Sequence, residues 1–142
     1  EKGKITPDAF AHALVRLTPI VDLQEAVRDA DFVIEAVPEK LELKKSVFAD
    51  IDKYAPKHAI LASNTSNISI TEIASATQRP DKVIGYHFFN PAILMKLVEV
   101  IKGLASDANV VACVLATALA WGKQPVLARS TPASASQACP SF

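Results

Sequence analysis

The chain has 142 residues, half of them hydrophobic and 21% charged, which suits one globular domain able to bury a core. Lysine plus arginine equals aspartate plus glutamate at 15 each, with no basic stripe, so nothing argues for a nucleic-acid partner. The longest apolar runs fall far short of the roughly 20 residues a membrane helix needs, and Glu1-Lys2-Gly3-Lys4 leads into no signal-peptide core.

Taken in chain order, Thr6-Pro7-Asp8 reads as an N-cap, a first-turn proline and an acidic first turn, opening a helix over 7–16. Residues 17–21 read as a short edge strand, and 23–28 as one or two helical turns. The β-rich apolar run ending in Val37 predicts a buried parallel strand over 32–37. A helix over 41–54 follows. Its pattern sets Leu43, Val47, Phe48, Ile51 and Tyr54 on one face and turns Lys44, Lys45, Asp52 and Lys53 toward water.

The next strand is 59–63. Ser69 and Glu72 have capping-box spacing for a helix running to about Ala76. Strands over 82–88 and 95–101 come next, joined closely enough to pair antiparallel. Ser106-Asp107 caps a long helix through Ala120, Gly122 ends it, and 124–128 is the last strand. Strand and helix alternating in this way give an α/β fold, a doubly wound, mostly parallel sheet with one antiparallel strand. Residues 130–142 have no period and read as a disordered tail. Cys113 and Cys139 have no metal or redox spacing and read as plain thiols.

Three clusters carry possible chemistry. Ser63-Asn64-Thr65-Ser66-Asn67 follows a buried strand, where open α/β sheets bind ligands. From spacing alone it reads first as a polar turn leading into a helix cap. His87 ends a strand between aromatics. It suits a general base near neutral pH, or an ordinary hydrogen-bonded histidine at the core's rim. Glu99 lies inside an apolar strand, where a carboxylate is costly unless paired. Antiparallel pairing of its strand with 82–88 would set it opposite His87, where a carboxylate fixes the imidazole's tautomer; otherwise it points to water from an edge. Glu39, ending the run after Ala36, can reach a ribose from the sheet's ligand edge, with Lys44 a turn beyond. Both also read as ordinary surface charges.

The segments 31–39 (DFVIEAVPE), 59–66 (AILASNTS), 87–91 (HFFNP) and 95–103 (MKLVEVIKG) resemble the L-3-hydroxyacyl-CoA dehydrogenases, in that family's order and spacing. The resemblance covers residues 1–132. It implies a Rossmann-type NAD-binding domain over 1–129, with NAD as cofactor and an L-3-hydroxyacyl-CoA oxidised to the 3-oxoacyl-CoA. His87 then corresponds to the base and Glu99 to its partner. Ser66 and Asn90 hold substrate oxygens and the nicotinamide, and Ala36, Glu39 and Lys44 lie near the cofactor. The resemblance further implies a homodimer through a C-terminal helical domain, and a cytoplasmic enzyme, or a mitochondrial-matrix one in a eukaryote.

The chain departs from the family pattern twice. Its four glycines, at 3, 85, 103 and 122, make no G-x-G-x-x-G, so the Rossmann sheet is expected to be incomplete, with the first βαβ unit placed before Glu1. After Thr131-Pro132 the family's Gly-Phe…Asn-Arg is replaced by Ala-Ser-Ala-Ser-Gln, as a reading-frame shift or an unrelated end would produce. These residues alone are therefore expected to be close to inactive. The alternatives are a dehydrogenase of a free hydroxy acid or carnitine-like alcohol on the same scaffold, and a non-catalytic truncated remnant.

Overall fold

A computed structural model describes residues 6–130. The elements run α1 (Pro7–Leu14), α2 (Leu23–Val27), β1 (Phe32–Glu35), α3 (Leu41–Tyr54), β2 (Ile60–Ser63), α4 (Ile70–Ala74), β3 (Val83–Phe88), β4 (Leu97–Lys102), α5 (Ala108–Ala120) and β5 (Gln124–Arg129), with a 3-10 turn over Pro80–Lys82. The strands form one sheet in the order β1-β2-β3-β4-β5. β1, β2 and β3 are parallel, β3 and β4 antiparallel, and β4 and β5 parallel with α5 as their crossover. Among the described residues, no helix is long and apolar enough to cross a membrane.

The two-residue period of the strands divides the core into two layers. Leu61 and Val83 face α3 and α4, meeting Phe48, Ile51, Ile70 and Ile73. Ala62, Ile84, Tyr86, Val98 and Val100 face α5, meeting Val110, Val114 and Ala118. Helices thus cover both faces, as the alternating pattern requires. Gly85 is required by close approach, because a Cβ there would lie 2.7 Å from Ile101 Cβ and 3.0 Å from Ile70. Gly122, at φ +72°, ends α5 in the left-handed region that favours glycine.

Several sequence expectations need correction. Residues 17–21 form no strand. Pro19 has no N–H to donate, β1 pairs only with β2 among the described residues, and Leu17 and Val21 stay exposed. The face assignment of α3 is wrong at three positions. Lys44 and Asp52 are buried and Leu43 is exposed. Asp52 is held by Arg79, whose Nε is 2.5 Å from Oδ1, while Nη2 donates to the Asp52 and Ala55 carbonyls at 2.5 and 3.0 Å. Arg79 thereby closes the C-terminus of α3 with a buried cation.

The capping box also fails. Ser69 occupies the N-cap of α4 but makes no side-chain cap bond. The acceptor is the Ser130 hydroxyl, 3.1 Å from Ile70 N and 3.3 Å from Ser69 Oγ. Ser130, assigned to the tail by composition, is therefore bonded into the fold. The rest of that tail, 131–142, lies outside the described residues.

Candidate active site

β3 carries His87 and β4 carries Glu99 at paired register positions, His87↔Glu99. Side chains at directly opposed positions lie on the same face of an antiparallel pair. His87 Nδ1 is 2.8 Å from Glu99 Oε2, and the two side chains are 17% and 36% exposed. The imidazole is shielded further by Phe89, with ring centroids 4.8 Å apart. The carboxylate therefore claims Nδ1, leaving Nε2 as the nitrogen free to exchange a proton.

Beside this pair lies a cleft of about 150 Å³. Its lining includes Ser66 and Asn67 from the β2–α4 loop, Glu99 and Ile101 from β4, and Arg129 and Ser130 from the end of β5. Ser66 and Glu99 are thus brought together. Asn90 is exposed just beyond β3 and, like His87, is not among the residues that line this cleft. Ala36 is exposed, one residue past β1.

Glu39 and Lys44 are arranged differently from surface charges. Glu39 Oε1 accepts from Ser66 N at 3.0 Å, Asn67 N at 3.1 Å and the Thr65 hydroxyl. Burial pushes the Glu39 carboxyl up, but the Thr65 hydroxyl, the Asn67 and Ser66 amides and the Lys44 charge outweigh it. They hold the carboxyl below its ordinary value. Lys44 Nζ points inward, 2.8 Å from Glu35 Oε1, 3.4 Å from Glu39 Oε2 and 3.2 Å from the Val37 carbonyl.

Sequence reasoning missed Glu35 and, within the polar run, gave Asn64 no role of its own. Glu35 ends β1 with its side chain 1% exposed, ion-paired to Lys44 and accepting from the Ser63 hydroxyl at 2.7 Å. The signal was available: it is a carboxylate at the end of an apolar strand, the same feature that singled out Glu99. Asn64 Oδ1 accepts from Phe88 N at 2.8 Å, tying the end of β2 to the backbone beside His87. The polar run 63–67 is therefore more than a turn. It braces both β1 and β3.

A histidine paired with a carboxylate, beside a polar loop at the carboxyl edge of parallel strands, is an arrangement able to take a proton from an alcohol. Comparison with known proteins points the same way. The family described as "3-hydroxyacyl-CoA dehydrogenase, NAD binding domain" matches residues 1–131. The 3-hydroxyadipyl-CoA dehydrogenase of Escherichia coli (strain K12) is 49% identical over 131 residues, covering 92% of this chain and 27% of the relative. The probable 3-hydroxybutyryl-CoA dehydrogenase of Bacillus subtilis (strain 168) is 46% identical, covering 93% of this chain and 46% of the relative. The crystal structure of 3-hydroxybutyryl-CoA dehydrogenase from Escherichia coli K12 superposes with a TM-score of 0.89 at 48% identity, covering 93% of this chain and 28% of that one. The chain thus spans less than half the length of each of these relatives. With a family match over nearly its whole length and the His87–Glu99 pair in place, the chain belongs to the NAD-binding domain family of the 3-hydroxyacyl-CoA dehydrogenases.

Proposed function

We propose that these residues form the catalytic side of an enzyme that oxidises L-3-hydroxyacyl-CoA to 3-oxoacyl-CoA, within fatty-acid oxidation or related acyl-CoA metabolism. The observation that carries this reading is the 2.8 Å contact between His87 Nδ1 and Glu99 Oε2 beside the Ser66 loop. His87 Nε2 removes the hydroxyl proton of the substrate. Glu99 fixes the tautomer that makes Nε2 basic and offsets the imidazolium once it forms. Ser66 and Asn90 hold the reacting oxygen and the nicotinamide edge, and Ala36, Glu39 and Lys44 border the cofactor. NAD bound at this edge would supply the hydride acceptor that the oxidation of the carbinol requires.

The described residues fit one part of that cofactor. The Ser66 and Asn67 side chains offer hydroxyl and amide groups at an open cleft, as a ribose or nicotinamide needs. The pyrophosphate has no glycine cradle among the described residues, since Gly85 and Gly103 pack against Ile70 and Gly122 ends α5. The family further suggests a cytoplasmic enzyme that dimerises through a helical domain.

The test is NADH formation by a chimera carrying residues 1–130 in place of the matching segment of the Bacillus subtilis relative. It should oxidise 3-hydroxybutyryl-CoA in preference to free 3-hydroxybutyrate or carnitine. Preference for a free acid or for carnitine would move the assignment to that alcohol, and no turnover with any of them would sink it.

A further inference from the structure

Linked to the loop that lines the cleft is a buried ion pair whose carboxylate, Glu35, the proposed reaction does not use. Glu35 and Lys44 are both 1% exposed and only 2.8 Å apart. A buried ion pair is weak evidence for stability, because desolvation offsets its attraction and apolar replacements are often tolerated. Its geometry argues instead for a positional role.

Glu35 is saturated. Oε1 accepts from Lys44 Nζ and from Val37 N at 2.6 Å, while Oε2 accepts from the Ser63 hydroxyl. Lys44 is shared, with Glu35 on one side and Glu39 Oε2 at 3.4 Å on the other. Glu39 in turn gathers the loop through the Ser66 and Asn67 amides and the Thr65 hydroxyl. The chain of contacts is therefore continuous from the end of β1, through the start of α3, to the loop that lines the cleft.

We infer that Glu35 is a positioning residue for the Ser66 loop, acting through Lys44 and Glu39. Its carboxylate holds the ammonium back, so that Glu39 stays on the loop amides. Without that charge, Lys44 keeps one counter-charge, Glu39, and draws it inward off Ser66 and Asn67. The functional weight of this inference rests on the proposed function, which makes Ser66 a substrate-side group. The loop coupling itself does not.

Amide NMR of the 142-residue chain tests it. In Glu35→Gln, which keeps shape but removes charge, the Ser66 and Asn67 amide protons should move upfield. They should also exchange about tenfold faster, the factor that goes with losing one hydrogen bond of ordinary worth. Amides of α5 on the opposite face should keep their shifts. Unchanged Ser66 and Asn67 amides would overturn the inference. Should Glu35→Gln not fold, the charge-free pair Glu35→Gln/Lys44→Met decides. With no ammonium to draw Glu39 away, its Ser66 and Asn67 amides should sit at wild-type positions, and displaced amides there would overturn the inference equally. Failure of the proposed reaction would appear elsewhere, as an active His87→Ala chimera whose loop amides still respond to Glu35.

Discussion

His87 and Glu99 face each other across β3 and β4 with Nδ1 2.8 Å from Oε2, so one contact commits both the orientation and the tautomer of the imidazole. In the chimera, His87→Ala should lower turnover by about 10²–10⁴-fold, the usual worth of a positioned base. Glu99→Gln should keep the fold, as read by circular dichroism, and lower turnover less. Near-normal turnover of the alanine variant would remove His87 from the mechanism.

Acid should destabilise the fold through Glu39 and Asp52. Burial raises both carboxyls, but in each case hydrogen bonds and a nearby cation more than reverse this, so both lie below their ordinary values. A depressed folded-state pKa contributes stability that is present above the unfolded value and lost as pH falls through the folded one. Thermal melts between pH 6 and pH 3 should therefore show a decline that starts near the ordinary carboxylate range, about pH 4. Glu39→Gln should flatten that decline, and a variant curve parallel to the wild type would rule out Glu39 as a contributor. The effect should be modest, because the Glu39 side chain is 36% exposed and solvent screens it.

The helix α4 offers a direct choice between two caps. Ser130 Oγ is 3.1 Å from Ile70 N, whereas Ser69 makes no cap bond. Ser130→Ala should cost about 1 kcal/mol in urea unfolding, the usual worth of a cap acceptor. Glu72→Ala should be close to neutral. The reverse ranking would restore the capping box read from the sequence.

Tyr86 has a hydroxyl with no partner among the described residues, buried under Phe32, Phe88 and Trp121. Burial raises its pKa. A stranded polar group is costly, so Tyr86→Phe should leave stability unchanged or raise it by about 1 kcal/mol. A loss of that size would mean that the hydroxyl has a partner, such as a bound water.

What could be read in advance followed the range of the interactions. α3 was legible to the residue because fourteen amphipathic positions in a row leave little choice of element. The His87–Glu99 pairing was legible because a short connection forces β3 and β4 antiparallel, and register then follows from the pleat. Residues 17–21 have strand composition, but a strand exists only with a partner, which composition cannot supply. The caps were misread for a related reason. Ser130 lies sixty residues from Ile70, and Arg79 closes α3 from beyond α4, so no local spacing reveals either. Lys44 was placed on the water-facing side of α3 by period alone, and the burial of its partner Glu35 reversed that placement.

The contact between Ser130 and α4 has a mechanical consequence. Ser130 is also tied to Lys102 through its backbone N–H, so the last described residue is gripped by both the sheet and the helix start. Ile70 begins four residues after Ser66. A displacement of the backbone at Ser130 would therefore pull on the start of α4, four residues from Ser66. The end of β5 is thus joined, through the start of α4, to the segment that lines the candidate cleft.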